Sequence, residues 1–195
     1  LNYMDKIEKD ASNSLINIYT DLMMYNTMIS RDINFRPADL SSIFNNPNTS
    51  KYISRLFYKD GKNVKERIKN NQNILHIVTH QCLGFMKIFF ESLNTRLKII
   101  ETVRHPLFLI EHWLTIINEY GNDARSFSFS IDYNGKSLPW YTKGWEEKYE
   151  NSNSMDKVIL TIDFFTGIIN NLIVDLNEDQ RKQVLIIPFE HFVLD

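Results

Sequence analysis

The chain has 195 residues, 43% hydrophobic and 24% charged, which are ordinary values for one sizeable globular domain. A net charge of −2 at pH 7 excludes a global nucleic-acid footprint, so any anion site must be local. No unbroken apolar run reaches the roughly 20 residues of a spanning helix, and the single cysteine, Cys82, excludes an internal disulfide framework and favours a reducing, cytoplasmic setting.

Asp10 is a candidate N-cap for a helix over about 11 to 29, where Leu15, Ile16, Tyr19, Leu22 and Met23 recur at helical spacing. A turn-rich stretch broken by Pro37 and Pro47 follows, with a short helix at 38 to 44 and two more at 50 to 58 and 62 to 70. "ILHIV" (74–78) is a compact apolar run between polar flanks and reads as a buried strand. "CLGFMKIFFESL" (82–93) is helical in period, "LKIIETV" (97–103) is a second strand, and "PLFLIEHWLTIINEY" (106–120) is a helix with proline in its first turn. That alternation is the βαβ pattern of a parallel sheet. "SFSFSIDYNGKSLPWY" alternates around Asn134-Gly135, the sequence signature of a tight hairpin, so 121–149 reads as an inserted β-hairpin. A long helix over about 155 to 174, capped by Ser154, leads to a third core strand, "QVLIIPFE" (183–190).

In an open α/β sheet, ligands gather at the carboxyl ends of the strands. Thr79-His80, Arg104-His105 and Glu190-His191 follow the three expected strands. Arg104 stands before a helix N-terminus, whose dipole and free N–H groups favour an anion, and its planar fork suits phosphate. The plainer alternative is that Arg104 caps the sheet edge as a surface cation and pairs with Glu101 or Glu111. His80 is either a structural hydrogen-bonding group or a base matched to neutral pH. His76 lies inside an expected strand, and His112 sits two turns into the helix after Arg104. No His, Cys or acidic spacing suggests a metal, and Cys82 has no activating context. The aromatics Phe127, Phe129, Tyr133, Trp140, Tyr141, Trp145 and Tyr149 either line an acceptor pocket or form the private core of the hairpin.

Taken in order, "VTHQ", "RHPLFLIEH" and "PFEHF" resemble the sulfotransferase family that uses 3′-phosphoadenosine 5′-phosphosulfate (PAPS). The likeness runs over about 75 to 192. It implies a helix-rich, three-layer α/β/α parallel-sheet fold of P-loop-like type, with 121–149 as a hairpin insertion in one domain. It also implies His80 as the catalytic base of a "THLP"-like stretch. Arg104 then grips the nucleotide 3′-phosphate at the start of an "RNPxDxxxS"-like segment. In this register His112 takes the place of the family's serine, Phe108 that of its aspartate, and Phe189 that of the tyrosine of "YEDL"; Val78 replaces the lysine before "TH". His112 and Phe189 are accordingly the further cofactor-side positions, and Trp140, Tyr141 and Trp145 the acceptor side. The resemblance implies no metal and no nucleic acid, and a carbohydrate, lipid or other small-molecule acceptor. The family's glycine-rich 5′-phosphosulfate loop and its C-terminal nucleotide loop are absent, so the chain reads as the middle of such a domain. Two alternatives stay open: a P-loop-type small-molecule or nucleotide kinase, and a degenerate sulfotransferase-like domain that binds without catalysis.

Overall fold

A computed structural model describes residues 7–59, 61–120 and 129–191. The expectation of one continuous domain meets a chain that divides into two units, Leu1–His80 with Glu91–Leu93, and Gln81–Phe90 with Asn94–Asp195.

In the first unit, α1 (Lys9–Met28) starts after Glu8, not Asp10, and no side chain caps it. It is followed by a 3₁₀ turn (Ile43–Asn45), α2 (Thr49–Arg55) and α3 (Lys62–Asn71). Met28, Ile29 and Val64 form the buried centre, with Met24, Tyr25, Tyr58 and Ile68 packed around it. Hydrogen bonding adds to this packing: the Gly61 N–H donates to the Tyr25 hydroxyl at 3.0 Å.

The expected strand at 74–78 does not form. Residues 73–79 carry no regular structure, and Ile74 and Val78 are 91% and 78% exposed. A strand exists only through a ladder to a partner, and a compact apolar run does not itself name one.

The second unit begins with a 3₁₀ turn (Leu83–Phe85) and α4 (Lys87–Leu93), whose last turn belongs to the first unit. Next come β1 (Ile99–Val103) and α5 (Pro106–Glu119). β2 (Ser130–Tyr133) and β3 (Lys136–Pro139) follow, then α6 (Glu146–Glu150), α7 (Ser154–Asp175), α8 (Glu178–Arg181) and β4 (Val184–Pro188). β1 and β4 pair in parallel, Ile99 against Val184 through Val103 against Pro188. The described residues are 58% helical with this small parallel sheet, a helix-rich α/β composition. The simple strand–helix–strand repeat is replaced by one long crossover from β1 to β4.

The hairpin stands where Asn134-Gly135 places it, with both residues at positive φ, 53° and 77°. Two adjacent left-handed residues give the turn whose twist matches the strands. Residues 121–128, including Phe127 of the expected insertion, lie outside the described residues. The Tyr120 hydroxyl at the end of α5 donates toward the carbonyls of Phe129 and Leu138, joining that helix to the hairpin. Lys136 on β3 pairs with Glu150 on α6.

α7 is long and apolar enough, by length and composition, to cross a bilayer. The sequence hides this because Asp163, Asn170 and Asn171 interrupt any unbroken apolar run. Val158, Thr161, Phe165 and Leu172 on this helix are buried within the second unit. Asn153, not Ser154, caps it, its side chain accepting from the Asp156 N–H.

Two apolar clusters hold the second unit. Leu83, Phe90, Ile99, Leu172 and Leu176 close one face of the small sheet. On the opposite face, Ile100 and Leu185, neighbours across the ladder, remain 66% and 55% exposed. Trp113, Leu138, Tyr141, Tyr149, Val158 and Phe165 form the other cluster, between α5, the hairpin and α7.

Candidate functional site

The parallel register of β1 and β4 brings the ends of both strands to one place. Just beyond the last ladder pair, the Phe189 N–H donates to the Val103 carbonyl at 2.7 Å, which fixes Phe189 beside Arg104. The Arg104 guanidinium carbon then lies 5.2 Å from the Phe189 ring centre and 6.0 Å from that of Phe108, both within cation–π range. Among the described residues no carboxylate comes within ion-pair distance of Arg104, so the expected pairing with Glu101 or Glu111 is not made.

His105 and Glu190 complete the group. His105 is the N-cap of α5: its Nδ1 accepts from the Leu107 N–H at 3.3 Å, and its carbonyl accepts from Phe108. Pro106 has no N–H to satisfy, which suits the first helical position. The His105 N–H itself donates to Glu190 Oε1 at 3.0 Å. That bond, first of all, holds the Glu190 carboxyl below the usual carboxylate range, and the Arg104 charge adds to the effect. The free N–H groups expected at this helix start are therefore already engaged, by an imidazole and a carboxylate of the chain itself. What stays open to an anion is the helix dipole and the exposed Arg104 fork.

His112 is exposed one helical turn beyond Phe108, so the two share a face of α5, and its ring lies 6.4 Å from that of buried Trp113. Arg104, Phe108 and Phe189 are thus brought together by direct contact, and His112 by helical register. His80 belongs to the first unit and lies in an exposed bend at its end.

The aromatic residues of the hairpin region face one another. Tyr141 is 7% exposed, with ring centres of Trp113, Phe165 and Trp140 5.3 to 5.9 Å away. Trp140 packs on Phe85, and Trp145 on Tyr149 and Phe164. The Trp145 indole N–H is occupied by the Tyr141 carbonyl at 2.9 Å. Burial pushes the Tyr141 hydroxyl far above its ordinary range, which keeps it protonated. Tyr141, Trp140 and Trp145 thus pack into a core that the hairpin region shares with α5 and α7, so that core is not private to the hairpin.

Burial also pushes the Cys82 thiol up, with Glu101 adding to the shift, so this cysteine is a poor nucleophile. Among the described residues no group of three or more His, Cys, Asp or Glu side chains gathers as a metal site.

Sequence reasoning singled out Arg104 and Phe189 but missed Phe108 as a contact and His105 as a cap. The signal was present in "RHPLF", a capping residue before proline with an aromatic three positions later. No protein-family model, curated protein or solved structure matches this chain.

Proposed function

We propose that the chain is a PAPS-dependent sulfotransferase domain, in which Arg104 holds the 3′-phosphate of the nucleotide. The observation that carries this reading is the seating of Arg104. Its guanidinium is free of ion pairs among the described residues, flanked by Phe189 and Phe108, and set where β1 gives way to α5. Such a fork binds phosphate through paired, charge-assisted hydrogen bonds, and the helix dipole adds to the field. The finer expectation of a three-layer α/β/α sheet belongs to the same proposal.

In the reaction, His80 accepts a proton from an acceptor hydroxyl or amine while its oxygen or nitrogen attacks the sulfur. The sulfur–oxygen bond to the nucleotide breaks, and 3′-phosphoadenosine 5′-phosphate leaves. Arg104 anchors the donor and takes no part in bond breaking. Calorimetric titration of the full-length protein with 3′-phosphoadenosine 5′-phosphate tests this. Loss of one charge-assisted anchor costs about 1.5–3 kcal/mol, so Arg104→Ala should weaken binding roughly ten- to a hundredfold. His80→Ala should retain the nucleotide and lose turnover. Absence of nucleotide binding by the unmodified protein would refute the proposal.

One observation favours a second reading, a related domain that has given up the donor. The Glu190 carboxylate already holds the His105 N–H that an anion would use. Under that reading, Glu190→Gln does not bring nucleotide binding with it.

A further inference from the structure

Positive charge is concentrated in one short stretch of the first unit. Residues 51 to 71 carry seven lysines and arginines against two acids, a net of +5 in a chain whose total is −2. α2, α3 and the turn between them hold these cations, and Lys51, Lys59, Lys62, Lys65 and Lys69 are all exposed. Among the described residues none of the five enters an ion pair.

On α3 the placement is directional. Lys62, Lys65 and Lys69 recur at i, i+3 and i+7, which sets them within about 60° of one another around the helix and along about 10 Å of its length. Val64 and Ile68, on another side of the same helix, pack with Met28 and Ile29. A stripe of ammonium groups is therefore left in solvent.

The two arginines are used differently. The Arg67 guanidinium carbon lies 3.4 Å from the centre of the Tyr58 ring, and that of Arg55 lies 5.0 Å from the centre of Tyr52. Arg55 also donates to the Thr27 carbonyl at 3.4 Å. The planar forks that would read a base edge are thus committed to the fold, and compact lysine charges remain. Such charges act through their field, which suits an extended anionic surface better than a shaped anion.

An apolar pair stands among them. Leu56 and Phe57 are 43% and 82% exposed, while the next residue, Tyr58, is held on α3 by Arg67. A single exposed apolar side chain is ordinary. Two in succession among unpaired lysines match the way a peripheral segment meets a bilayer: apolar groups enter the acyl boundary and cations rest on the headgroups. A nucleic acid offers stacking for Phe57 but no apolar layer for Leu56.

We propose that α2, α3 and the turn between them form a docking surface for an anionic phospholipid membrane, with Leu56 and Phe57 inserted and the lysines on the headgroups. The surface lies within the first unit and uses neither Arg104 nor His80, so it stands or falls separately from the sulfotransferase proposal.

Co-sedimentation of the intact chain with vesicles tests it, using phosphatidylcholine alone and phosphatidylcholine mixed with phosphatidylserine. The mixed vesicles should bind the chain and the neutral ones should not, and added salt should weaken the binding steeply. Lys62→Gln, Lys65→Gln and Lys69→Gln together should weaken it about a hundredfold, at about fivefold per lysine. Phe57→Ala should weaken it about tenfold, and Lys182→Gln in the second unit should leave it unchanged. The altered side chains are exposed, so the unfolding temperatures should stay with that of the parent. Phe57→Trp should show a blue shift of emission on the mixed vesicles beyond any shown by the parent. No binding to the mixed vesicles would overturn the proposal. So would binding that ignores the lysine substitutions or survives Phe57→Ala undiminished. Tighter binding to single-stranded RNA or to heparin than to the mixed vesicles would overturn it too, by assigning the surface to a soluble polyanion.

Discussion

The backbone N–H of His105 donates to Glu190 Oε1 at 3.0 Å and ties the end of β4 to the start of α5. The carboxyl is depressed in the folded state, so its contribution is present above the unfolded value of about 4.3. It is lost as pH falls through the lower folded value. Glu190→Gln keeps an oxygen acceptor and removes the charge. The variant should therefore unfold slightly earlier than the parent at neutral pH, with the gap narrowing in acid. Thermal unfolding followed from neutral to acidic pH checks this, and a gap that widens in acid would contradict it. The gap should also shrink with added salt, because the group is exposed.

Gly84 is held against α7. A methyl group added there would lie 2.6 Å from Ile168 Cγ1 and 2.9 Å from its Cδ1. Gly84→Ala should cost about 1–3 kcal/mol by overpacking. In the double variant with Ile168→Ala both of those contacts disappear, so its loss should be less than the sum of the two single losses. Chemical denaturation of all four proteins measures the coupling, and simple additivity would show that α7 shifts away without strain.

At the hairpin turn the argument is purely conformational. Gly135 has φ 77° and nothing within 4 Å of an added Cβ. Gly135→Ala should cost about 1–2 kcal/mol through the left-handed backbone alone. Unfolding by urea would record it as a shifted midpoint with an unchanged slope.

The Trp113 and Phe165 rings stack at 5.8 Å with 19° between their planes, at the centre of the larger cluster. Phe165→Ala should destabilise by about 3–5 kcal/mol. Tryptophan emission, which depends on how dry Trp113 is kept, should move to the red in the same variant. A fold that keeps its stability and its emission would show that this ring is not central.

Local chemistry was legible in the sequence wherever neighbours along the chain decide the outcome. Asn134-Gly135 fixes a turn because the two residues tolerate positive φ, and Pro106 opens α5 because it needs no donor. The period of apolar residues located α5 and α7 almost to their ends, since a helix satisfies its own backbone. Cap identity slipped by one residue at α7 and two at α1, which lies within the fraying of helix ends.

Pairing was decided only in three dimensions. "ILHIV" and "VLIIP" are equally apolar, yet only the second finds a ladder, along β1. A strand needs a partner from distant sequence, and composition does not say which segment will be there. The same reason governs the candidate site. Arg104 and Phe189 are remote in the chain and meet because β1 and β4 run parallel in one register. The sequence supplied an arginine before a helix; the tertiary fold put an aromatic ring beside it and a carboxylate on the neighbouring N–H.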